Sequence, residues 1–115
     1  MAGIDLGKLM ADIVAAASGI AKKDITALAG FSRTQLQGMA KQAGWITAAR
    51  AAGELDDDLF TFFTGNLART AKNFVTVITG LATVLMEKVW NAVIGVLWGA
   101  IEGAVGGVIP LPKWK

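Results

Sequence analysis

Residues 56–105 read DDDLFTFFTGNLARTAKNFVTVITGLATVLMEKVWNAVIGVLWGAIEGAV, and how this stretch is divided decides the fold. Large apolar residues recur at Leu59, Phe60, Phe63, Leu67, Phe74, Ile78, Leu81 and Leu85, while Thr76, Gly80, Thr83, Glu87, Asn91 and Gly95 keep a stripe of their own. Both stripes follow the helical period, and no proline interrupts them before Pro110. The pattern predicts one very long helix over 58–104, or two collinear helices broken near Gly65. Unbroken, it would be on the order of 70 Å long, far beyond a compact chain of this size, whose radius of gyration is about 13 Å. Such an element calls for neighbours from other chains.

The acidic run Asp56, Asp57 and Asp58 sits where this helix should begin. Carboxylates there meet the positive end of the helix dipole, so the run reads as a cap. A metal site is the rival reading, but three consecutive residues point in different directions and the spacing of a calcium loop is missing. Upstream, Leu6, Leu9, Met10, Ile13, Val14 and Ala17 recur at spacings of three and four, which predicts an amphipathic helix over 5–21. Lys22 and Lys23 suit its C-terminal dipole, and Asp24 can cap a short turn from Ile25 to Ala29. Ser32 and Gln35 then form an S-x-x-Q capping box, with Phe31 and Leu36 as a hydrophobic staple. A helix over 33–52 follows, closed by Gly53. Downstream, Pro110 and Pro112 predict an extended tail over 106–115.

The chain thus reads as a single all-α domain of 115 residues: N-terminal helices over 5–53, a long apolar helix over 56–105 and the tail. The expected architecture is an elongated helical bundle completed by oligomeric packing. Apolar residues make up 54% of the sequence and charged residues 17%, which excludes intrinsic disorder and predicts a chain that associates or aggregates when isolated.

Cysteine, histidine and tyrosine are all absent, which removes disulfides, Cys/His zinc sites, thiol nucleophiles and every histidine acid or base. Glu87 and Glu102 are fifteen residues apart on one helix, more than about 20 Å, and cannot act as a catalytic pair within one chain. No polar cluster marks a cofactor pocket near Trp45, Trp90, Trp98 or Trp114, which read as packing anchors. No enzyme activity, cofactor, metal or small-molecule substrate is expected. The net charge of +2 comes from 11 basic and 9 acidic residues without a basic stripe, so specific nucleic-acid binding is not expected either. The opening Met1-Ala2-Gly3-Ile4-Asp5 lacks the pattern of a signal peptide, which predicts synthesis in the cytoplasm.

Gly95, Gly99, Gly103 and Gly107 recur every fourth residue, and each costs about 1 kcal/mol relative to alanine inside a helix. A face without side chains lets another helix backbone come close, so these glycines, with Trp90 and Trp98 beside them, are the candidate helix-packing or oligomer interface. A frayed C-terminal end is the bland alternative. The uncharged runs 73–86 and 89–101 are each shorter than the roughly 20 residues of a membrane span, and Glu87 and Lys88 separate them. A simple anchor is not expected. A helical hairpin, late insertion from a soluble assembly, or an interfacial helix anchored by Lys113, Trp114 and Lys115 stays open.

Asn73-Phe74-Val75, the run Met86-Glu87-Lys88-Val89-Trp90-Asn91-Ala92-Val93-Ile94 and Trp98-Gly99-Ala100-Ile101 resemble small, apolar, helical proteins of tailed bacteriophages and prophages. Ala29-Gly30-Phe31-Ser32, with Gln35, Ala40 and Gln42, is similar in character. The resemblance is one of texture and implies no catalytic residue. It implies a structural or assembly protein that packs against copies of itself or other virion proteins, made in the host cytoplasm and associated with the virion. The alternative is a membrane-active protein, whether holin-like, pore-forming or ejected from the virion and associated with a membrane.

Overall fold

Asp5, Ser32 and Asp56 each accept a hydrogen bond from the backbone N–H three residues ahead, at 3.0, 3.1 and 2.8 Å. Those bonds satisfy N–H groups that have no partner inside a helix, and they start α1 (Leu6–Ala21), α2 (Arg33–Ala51) and α3 (Asp57–Thr76). A further helix, α4 (Thr83–Val105), completes the fold, with a 3₁₀ turn at Ile25–Ala27. The computed structural model describes residues 4–107 and 109–114, all helix and connecting segments. The first two helices and the aspartate cap lie where the sequence predicts them. The capping box is only half formed, because the Ser32 hydroxyl accepts from Gln35 N–H while the Gln35 Oε1 is buried without a partner. Gly53, at φ 77°, closes α2 through a bond from Glu54 N–H to the Ala49 carbonyl.

The single long helix over 58–104 is not formed. The chain turns at 77–82 instead, and Gly65 lies undisturbed within α3. Two causes can be named. Val75 to Thr79 are all β-branched, which weakens the helix, and the turn is gripped by the loop before α2. Gly80 N–H donates to the Ala29 carbonyl at 3.0 Å, and the Thr79 hydroxyl donates to the same oxygen at 3.3 Å. Gly30, at φ 89°, lies so close to the turn that a Cβ there would stand 1.9 Å from the Val77 carbonyl oxygen.

The turn escapes notice in the sequence because Phe74, Ile78 and Leu81 are all buried, so the apolar period runs through it unbroken. The start of α4 is equally silent, since its first flanking residue is Ala82, which has no side-chain cap. Folding back at this point makes the molecule compact rather than elongated, with extents of 41 × 28 × 20 Å and a radius of gyration of 13.7 Å.

α4 packs against α1, α2 and α3, and α2 packs against the same two flanking helices. α2 and α4 thus form the centre, with α1 and α3 to either side. The core runs from Leu9 and Ile13 through Leu36, Met39 and Ile46 to Phe74, Val93, Leu97 and Ile101. The accessible surface is 6275 Å², close to the roughly 6,000 Å² of a compact monomer of this mass. The core therefore closes within one chain and needs no other copy to complete it. Within it Thr47 is fully buried with no hydrogen-bond partner for its hydroxyl.

Two measurements check this account. Gly30→Ala is expected to destabilise the fold by at least about 2 kcal/mol in urea, because it combines positive φ with overlap on backbone. Gly80→Ala, whose Cβ would stand 2.9 Å from Ala29 N, should destabilise less but measurably. Thr47→Val removes the unsatisfied hydroxyl and should raise stability by about 1 kcal/mol.

Candidate interaction surfaces

The solvent side of α4 carries Asn91, Gly95, Gly99 and Gly103, all exposed, edged by half-buried Ala92, Val96, Ala100 and Ala104. From Val89 through Ile101 this helix has no charged residue. A Cβ built on Gly95, Gly99 or Gly103 would meet nothing within 4 Å, so no intramolecular packing requires these glycines. Gly107 is not part of the stripe. The helix ends at Val105, and Gly106 and Gly107 turn the chain away with φ of 73° and 127°. Only 39% of the residues in the most apolar stretch of α4 are buried, and by length and composition the helix could cross a membrane.

Trp90 and Trp98 do not belong to that face either. Both are 2% exposed and point into the molecule, because a buried indole N–H needs an acceptor and each finds one there. Trp90 Nε1 donates to the Ala68 carbonyl at 3.3 Å, and Trp98 Nε1 donates to the Pro110 carbonyl at 3.2 Å. The second bond belongs to a strap formed by the tail, which folds back after Gly107. Ile109 N–H donates to Glu102 Oε2 at 2.6 Å, and Trp114 sits edge-on to Trp90 with ring centroids 5.5 Å apart. The ammonium of Lys72 lies 5.0 Å from the Trp114 ring centre. Trp114 is thus engaged within the chain rather than held out as an anchor; Lys113 is exposed, and Lys115 lies outside the described residues. Glu102 is occupied by the strap, and Glu87 stays on the solvent side as the polar stripe implies.

An exposed aromatic cluster was not foreseen from the sequence. Trp45 on α2 and Phe62 on α3 are 53% and 57% exposed, and Phe63 lies between them, with ring centroids 5.0 Å from Trp45 and 5.3 Å from Phe62. One signal was available. Trp45 lies one turn beyond Lys41 on a polar side of α2.

Two open clefts lie beside α1. One, of about 260 Å³, lies between α1 and α4 and is lined by Ile4, Asp5, Lys8, Leu9, Asp12, Ala100, Gly103 and Ala104. Its charges are spent on each other, with Lys8 Nζ 2.8 Å from Asp12 Oδ2 and the lysine pKa raised, first by that hydrogen bond and then by the Asp12 charge. The other, of about 390 Å³, is lined mainly by apolar residues of α1 and α2, with Arg33 as its charged group. Neither brings carboxylates together around a nucleophile, and among the described residues no group of three acidic side chains is placed to hold a metal. What the surfaces offer is packing.

Compared with known proteins, the chain matches no family model, and no curated protein or solved structure matches it. The strap can be tested directly. Trp114→Ala should cost about 1 kcal/mol in thermal denaturation through the lost ring contacts, without changing the helix content read by circular dichroism.

Proposed function

We propose that this chain is a non-enzymatic helical protein that self-associates as a component of a larger particle. The setting is the phage particle or its assembly, as the resemblance implies. The observation that carries the proposal is the outer face of α4, where three glycines stand in open space. Each costs about 1 kcal/mol relative to alanine, and nothing in the monomer offsets that cost. A second copy of the face does, because two side-chain-free helix surfaces can approach until their backbones touch. Edging alanines and the absence of charge along the stripe leave no obstacle to that approach. The partners are then copies of this chain and other virion proteins, and the location is the virion.

The second reading, a membrane-active protein, is favoured by one observation: α4 is apolar enough to span and more than half of its apolar stretch is unburied. Insertion would require the α4 face to meet lipid instead of protein. Flotation with vesicles separates the two readings.

Gly99→Leu tests the first. Sedimentation equilibrium should show weaker self-association, while helicity and thermal stability hold or rise by up to about 1 kcal/mol. Gly19→Leu is the control, since it too faces open space but lies on α1. Unchanged association of the Gly99 variant would remove the packing role of this face.

A further inference from the structure

The aromatic cluster lies on α2 and α3, and α4 turns its glycine face away from the helices it packs on, so the two surfaces are separate. Rings more than half exposed on a chain that otherwise buries its core well call for a covering surface. The charges around them specify which one. α2 and α3 form an antiparallel hairpin joined at 52–56, and Trp45 and Phe63 stand at the same level of it. Lys41 lies four residues from Trp45 toward the open end of the hairpin, and Asp58 lies four residues from Phe62 toward the loop. At about 1.5 Å per residue the two charges are displaced by about 6 Å in opposite directions from the rings.

Among the described residues neither Lys41 nor Asp58 is ion-paired, whereas the neighbouring Asp57 is taken by Arg50 at 2.6 Å. A two-fold axis through the rings exchanges the two ends. It sets Lys41 of each copy against Asp58 of the other while Trp45 and Phe62 pack on their counterparts. We propose that this face is the isologous interface of a homodimer, built on the aromatic cluster and registered by two Lys41–Asp58 pairs. It goes beyond the contact assigned to α4 and does not depend on it.

The test is made in the Gly99→Leu variant, so that association through α4 does not enter. Sedimentation equilibrium should still find a dimer, weakened at high salt. Lys41→Asp and Asp58→Lys should each raise its dissociation constant about tenfold or more, by placing like charges across the axis. Because the two residues are about 12 Å apart along the hairpin, they cannot restore each other within one chain. The double variant Lys41→Asp with Asp58→Lys should therefore return to within about threefold of the parent only if the pairs form between copies. Trp45→Ser, with helicity checked by circular dichroism, should leave a monomer. A Gly99 variant that is already monomeric, or a double variant as weak as the singles, overturns the dimer. So does a monomeric parent that floats with anionic vesicles and loses that binding on Trp45→Ser, which would make the cluster a lipid contact instead.

Discussion

A carbonyl oxygen and a missing side chain fix the way this molecule folds. The Ala29 carbonyl takes both the Gly80 N–H and the Thr79 hydroxyl, and the bare Cα of Gly30 lets the Val77 carbonyl approach where any Cβ would collide with it. This contact between two loops, fifty residues apart in the chain, turns the chain back after α3 and delivers α4 to the centre of the bundle. Without it the apolar residues of 57–105 would lie along one rod, with no shared interior for α1 and α2. The burial of Phe74, Ile78 and Leu81 follows from the turn, and so does the inward direction of Trp90, whose indole reaches across to α3.

Where the sequence states its boundaries in side-chain chemistry, they were legible. Ser32 and Asp56 cap helices, Gly53 closes one, and in each case the signal is a side chain or an absent one acting within a few residues. The boundary at 77–82 has no such local sign. Its cause lies at residues 28–30, so a reading of neighbours along the chain passes over it. Periodicity misled for a related reason: a turn whose residues are buried on both sides preserves the apolar phase of the helices it joins. The glycine stripe was legible as an exposed small face, but Gly107 and the two tryptophans were attached to it by spacing alone. The prolines imply an extended tail, but Glu102 holds it down through a backbone N–H that no side-chain pattern announces.

The surfaces fall into two kinds. The α4 face is smooth and uncharged, suited to close backbone approach with little orientational demand. The α2–α3 face is rough and bears charges at matched offsets, suited to a single register. If each joins like to like, the two together make an alternating chain of subunits rather than a closed pair, which is how a 12 kDa protein can cover a length far greater than its own.

The position of α4 bears on the order in which the protein acquires its structure. It follows the other three helices in the chain, and it is one of the two, with α2, on which the rest converge. Until it emerges, the sides of α1, α2 and α3 that pack on it face water. α1 and α3 can dock on α2 before it arrives, but the core closes only once α4 is in place. During that interval the nascent chain is at its most adhesive.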